Sequence, residues 1–169
     1  MANDADDVRA DGPTVVRTGP RGGLTVVVLD PLGEAKHDAV PAAWRSVADE
    51  VDVVWWRLPA TARPAAPGAD RPTGLLDGVG PAHLVGAGSA ALLTLAIAVA
   101  HRDEVASVVL VDPPWPVGDL PYVRRIVDDT DLPIQQVHTA DALPLGHPDV
   151  VRAVLRAVTP LDSRGSTVR

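Results

Sequence analysis

Ser89 closes a short glycine turn, Gly86-Ala87-Gly88-Ser89, inside the segment HLVGAGSAALLTLAIAVAH at residues 83–101. A serine hydroxyl in such a turn is a nucleophile when a base within hydrogen-bond reach takes its proton. Two imidazoles stand late in the chain, His138 inside a predicted strand and His147 at the start of a predicted helix, and two carboxylates accompany them, Asp112 and Asp141. His147 is the better-placed base, being on a loop, and Ser89, His147, Asp112 and Asp141 make up the candidate hydrolytic set. The same turn satisfies a second pattern. Residues 86–91 read G-x-G-x-x-A, and Asp112 follows Ala91 by 21 positions. In a dinucleotide site, helix-start N–H groups hold a pyrophosphate and an acid of this kind holds a ribose hydroxyl. That pattern normally belongs to the first strand of its fold, whereas here a strand, a helix and a strand precede it. The stiff DPPWP after residue 111 also leaves little chain for the second half of such a site.

The elements that would position these residues follow from periodicity. PTVVRTG and LTVVVLD are β-branched runs joined by PRGG, which predicts an N-terminal antiparallel hairpin. Val40, Ala43, Trp44 and Val47 share one helical face, and VDVVWWRLP is a strand stopped by Pro59. ATARPAAPGADRP is a loop, TGLLDGVG a short helix and AHLVG a strand. Residues 89–100 form a helix with almost no polar face, which predicts burial on all sides. VASVVLVD is a strand, 121–129 a helix, LPIQQVHT a last strand and HPDVVRAVLRAV a last helix with proline in its first turn. Strands alternating with helices at these spacings predict an α/β fold, a mainly parallel sheet covered by helices on both faces. Ligands in such sheets bind beyond the carboxyl ends of the strands, where the 86–89 turn falls.

Composition bounds the function classes. The chain has 169 residues, 46% hydrophobic and 22% charged, which suits one globular domain. With no cysteine, disulfides, thiolate metal sites and cysteine nucleophiles are excluded. The formal net charge of −7 argues against a nucleic-acid or anionic-membrane surface. The five histidines show no metal-ligand spacing, so neither a metal nor a cofactor is expected. The apolar run 84–100 is broken by Gly86, Gly88, Ser89 and Thr94 and reads as strand plus helix rather than a membrane span. MANDADDVRADG is acidic without an apolar stretch, so a disordered tail at 1–12 and a cytoplasmic location are expected. The remaining boundaries are a single domain over 13–160 and a flexible tail over 161–169.

PAHLVGAGSAALLTLAIAVAHRDEVASVVLVDP resembles the nucleophile-elbow region of the α/β-hydrolase superfamily, in which a strand ends in Gly-x-Ser-x-Gly before a buried helix. TGPRGGLTVVVLDPLG and VDVVWWRLP resemble that family's entry strands, with an ending similar to its thioesterase branch. The resemblance runs from about Pro13 to Pro114. It implies that Gly88 stands on the nucleophile position and Ser89 one place late, as a helix-start residue offering its N–H to an oxyanion. HTADALPLGHPDVVRAVLRAV resembles the last strand, histidine loop and last helix, with Ala142 on the histidine position. Asp30 and Gly33 fall where the family often has His-Gly, so Gly33 is a candidate oxyanion donor, although a carboxylate at Asp30 would oppose developing negative charge. The lid and at least one strand–helix unit of a full-length member are expected to be absent or compressed.

Three functions stand side by side. The first is an α/β-hydrolase-like protein with a degenerate triad, acting by binding or association, with a small acyl ligand and a homodimer as expected partners. The second is a small serine esterase or thioesterase using Ser89. The third is a dinucleotide-binding domain.

Overall fold

The run Val26–Leu29 has no polar residue to turn toward water, and the chain places it in the middle of a sheet with every residue buried. The structure, a computed structural model, describes residues 13, 15–35, 38–58, 76–115 and 121–159. Both expected tails, the loop read at 60–72 and the start of the short helix read at 73–80 lie outside the described residues. Six strands form one sheet in the order β1-β3-β2-β4-β5-β6: β1 Val15–Thr18, β2 Thr25–Asp30, β3 Asp52–Arg57, β4 Ala82–Ala87, β5 Val105–Val111 and β6 Ile134–Val137. β3, β2, β4, β5 and β6 are parallel, and β1 is antiparallel to β3. The expected α/β class and parallel core therefore hold.

The N-terminal hairpin does not form. β1 supplies the expected antiparallel edge but pairs with β3 rather than β2. The reason is that β2, apolar on both faces, takes parallel partners on both sides, while β1 carries the mixed burial of an edge strand. An Arg17–Asp52 ion pair fixes the choice, with Nε at 2.9 Å and Nη2 at 2.5 Å from the two carboxylate oxygens. Gly19 lets the chain cross the start of β3, since a Cβ there would lie 2.1 Å from the Val51 carbonyl oxygen.

Strand alternation divides the core in two. Val27, Leu29, Val54, Leu84, Val108 and Leu110 point to the face covered by α2 Ala91–Ala100 and α3 Pro121–Thr130. Val26, Val28, Val53, Trp55, Val85 and Val109 point to the face covered by α1 Ala42–Arg45 and α4 Pro148–Val158. Trp44 of α1 meets Trp55 edge-on, with centroids 5.8 Å apart. α1 is shorter than its apolar spacing predicts. Ser46 turns its hydroxyl back onto the Ala43 carbonyl, and residues 47–51 continue as hydrogen-bonded turns. The described end of the expected helix at 73–80 is likewise a turn, closed by Val79 N–H on the Leu76 carbonyl. α2 also departs from expectation: Leu92 and Val99 are exposed, so this apolar helix is buried on one side only. No helix among the described residues is long and apolar enough to cross a membrane.

β4 and α2 approach closely because Gly86 has no side chain. A Cβ there would lie 1.9 Å from Thr94 Oγ1, which itself donates to the Ala90 carbonyl at 2.8 Å. Gly86→Ala is expected to destabilise the fold by about 1–3 kcal/mol through overpacking. Urea unfolding followed by tryptophan fluorescence measures it, and Thr94→Ala in the same chain recovers part of the loss.

Candidate functional site

The carboxyl ends of β2, β4 and β5 open onto one cleft of about 170 Å³. Its lining comes from four places in the chain: Pro31, Leu32 and Glu34 after β2; Ala87, Gly88 and Ser89 after β4; Val111 and Asp112 at β5; and Ala142 to Leu145 after β6.

The first wall is built by Asp30. Its carboxylate is fully buried, and one oxygen accepts from the N–H groups of Leu32 at 3.0 Å and Gly33 at 2.8 Å. The other accepts from Glu34 N–H at 2.5 Å, Ala35 N–H at 3.3 Å and the Trp55 indole at 2.9 Å. The side chain thus replaces a backbone turn, as Asp does after a strand. Gly33, a candidate oxyanion donor, has its N–H committed to Asp30 and is not among the residues lining the cleft.

At the second wall, Gly88 to Ala90 form one turn of 3₁₀ helix leading into α2. Gly88 has φ +46, and a Cβ built there meets nothing within 4 Å. Ser89 is exposed beside it in the cleft. It makes no capping hydrogen bond, so it is a helix-start residue without the side-chain cap that serine often supplies.

The third and fourth walls are tied together by Asp112 and Thr139. Asp112 Oδ1 accepts from Thr139 N–H at 2.7 Å and Oδ2 from the Thr139 hydroxyl, which in turn accepts from Leu143 N–H at 2.8 Å. The late loop is pinned further by the buried Trp44 indole N–H, which donates to the Leu145 carbonyl at 2.8 Å, and by Gly146 N–H at 3.4 Å from Glu34 Oε1. Burial pushes the Glu34 carboxyl above its ordinary pKa; the backbone N–H of Gly146 pulls the other way, and nearby Asp30 adds to the rise.

The candidate catalytic residues do not converge. Ser89, Asp112, Gly88 and Ala142 face the cleft; neither candidate imidazole lines it. His147 caps α4, its Nδ1 accepting from Asp149 N–H at 3.2 Å. His138 is exposed, with Nδ1 4.0 Å from Asp112 Oδ1 and Nε2 3.2 Å from Gln136 Oε1. Asp141 is exposed and outside the lining. A Ser–His hydrogen bond does exist elsewhere: His83 Nδ1 is 2.7 Å from Ser107 Oγ between β4 and β5, where burial lowers the imidazole pKa. Among the described residues, no group of His, Cys, Asp and Glu could hold a metal. Sequence reading missed Glu34, Thr139 and the role of the Trp44 indole; the one available signal was that a buried tryptophan needs an acceptor for its N–H.

No family model and no curated protein matches the chain. Among solved structures it is similar to a hydrolase from Oleispira antarctica, at 10% identity with a TM-score of 0.39, over 69% of this chain and 47% of that one. The matched region is under half of that hydrolase, and a likeness of this degree carries no argument about chemistry.

Two outcomes test the site's construction. Asp30→Ala strands five donors at once and is expected to cost about 3 kcal/mol or more in urea unfolding. Glu34→Gln keeps an acceptor for Gly146 but removes the charge. At low pH Glu34 is protonated whether folded or not; as pH rises the unfolded chain ionises first, at about 4.3, so the parent loses stability up to its raised folded pKa. The variant is therefore expected to gain more stability over the parent at pH 7 than at pH 4, measured as the shift in thermal midpoint.

Proposed function

We propose that this chain is a short α/β-hydrolase-like domain that binds a small, largely apolar ligand in the cleft and does not hydrolyse it. The observation that carries this reading is that two of the three non-glycine residues with left-handed backbone among the described residues stand at one cleft, beside a left-handed glycine. Gly88 at φ +46, Asp112 at φ +43 and Ala142 at φ +47 all line the same cleft. Left-handed backbone at non-glycine residues costs of order 1 kcal/mol each and collects at ligand-binding and catalytic sites. The two positions that the family resemblance assigns to nucleophile and base, Gly88 and Ala142, are both here, and both lack a reactive side chain. Among the described residues, no imidazole lines the cleft beside Ser89. The cleft is smaller than the roughly 300–1,000 Å³ of pockets for drug-sized ligands, which favours a short acyl or alkyl group over a dinucleotide. Asp112, the residue that would hold a ribose, gives its carboxylate to Thr139 instead.

A lid-free single domain over 13–160 and a cytoplasmic location belong to this proposal. The test uses short p-nitrophenyl esters, acyl thioesters and a fluorophosphonate probe on the whole chain. Negligible turnover and no labelling are expected, with any residual rate unchanged in Ser89→Ala. Stoichiometric labelling abolished by Ser89→Ala would replace this reading with that of an active serine esterase. Binding is read separately, by thermal shift with short acyl and alkyl compounds. Ser89→Trp, at an exposed position, is expected to fill the cleft and remove that shift while the fold persists.

A further inference from the structure

The outer surface of α2 is unusual for a helix facing water. Leu92, Ala96, Val99 and Ala100 are exposed at the spacing of one helical face, with Leu92 44% and Val99 40% accessible, and α2 contains no charged residue. Beside it on the same face of the sheet lies α3, whose exposed charged residues run Arg124, Arg125, Asp128, Asp129 among those described. That order is unfavourable within one helix. The helix dipole favours acids at the N-terminal end and bases at the C-terminal end, and α3 has no acid in its first turn and no base in its last. An Arg placed four residues before an Asp is also the weaker orientation of such a pair. None of the four forms an ion pair with a described residue.

We propose that the outer faces of α2 and α3 dock a second copy of this chain about a two-fold axis. The axis lies in the plane of the interface and crosses both helices near their midpoints, at Ala96 and between Arg125 and Asp128. Rotation about it sets α2 against α2 and α3 against α3, each pair antiparallel. Leu92 then meets Val99 of the second copy, with the small Ala96 at the crossing allowing close approach. Arg124 and Arg125 meet Asp128 and Asp129 of the second copy, so one operation covers the apolar face and pairs charges that are misplaced within a single chain. Such self-complementarity is the signature of an isologous interface. Both helices are ten residues, about 15 Å long, so the footprint is a few hundred Å², below the roughly 800 Å² per partner of a standard interface. The dimer is accordingly weak and concentration-dependent. The proposal is independent of what the cleft binds.

Sedimentation velocity on the full chain tests it, from about 10 μM to about 1 mM, at about 0.15 M salt, where long-range repulsion between acidic copies is screened. Self-association is expected across that range. Ala96→Glu, an exposed change, is expected to raise the dissociation constant at least about tenfold by placing two like charges at the axis. Arg124→Asp with Arg125→Asp, and separately Asp128→Arg with Asp129→Arg, are each expected to be monomeric alone and to form a mixed dimer when combined. Circular dichroism confirms that each variant is folded. A parent chain monomeric throughout overturns the proposal, as does a dimer indifferent to Ala96→Glu or a failure of the two charge variants to associate. Binding of the parent to neutral phosphatidylcholine vesicles in place of self-association overturns it too, by assigning the face to lipid.

Discussion

One buried carboxylate organises the cleft end of this molecule. Asp30 draws four consecutive backbone N–H groups and an indole N–H onto its two oxygens. A fully buried carboxylate is tolerated only when its lone pairs are filled, and here the loop after β2 folds around it to fill them. Everything downstream inherits that shape. Glu34 is carried to where it reaches the late loop, and Leu32 is left at the mouth of the cleft. Trp55 is held where Trp44 can pack against it edge-on, and Trp44 in turn grips the Leu145 carbonyl. The buried side chains leave no polar atom unpartnered among the described residues, so the network is closed.

That closure also decides what the cleft offers chemically. The N–H groups that might have cradled an oxyanion after β2 are spent on Asp30, and the carboxylate of Asp112 is spent on Thr139. What faces the cleft is mostly proline, alanine, valine and leucine, with Glu34 and the Ser89 hydroxyl as the polar exceptions beside Asp112. A surface of this kind offers mainly shape and apolar area. Among the described residues, no imidazole lines it beside the Ser89 hydroxyl.

The parallel core was legible because its strands are apolar on both faces, and the place of the cleft was legible because the 86–89 turn ends a central strand. The partner of β1 was not. Adjacency in sequence favours a hairpin, and only the uninterrupted apolar character of Val26–Leu29 argues that β2 needs parallel neighbours on both sides. The exposure of α2 was illegible for a related reason: composition tells how apolar a helix is, not how many layers the fold places over it. At the site, the types of residue were visible but their commitments were not. DPLG suggests an Asp-led turn, but not that the same carboxylate also takes the indole N–H of a tryptophan 25 positions later.

The hydrogen bond from Trp44 to Leu145 joins residues 101 positions apart. The cleft therefore belongs to no single stretch of chain, and its last wall is delivered by the last loop before α4. On a ribosome, the glycine turn and the Asp30 loop emerge well before that loop does. Until the loop arrives, the apolar ends of three strands stand open, and closing so long a loop is slow relative to local structure. Between synthesis of β5 and docking of the 139–146 loop, the chain thus exposes apolar strand ends that the finished fold covers, and such surface is what makes partly folded chains prone to aggregate.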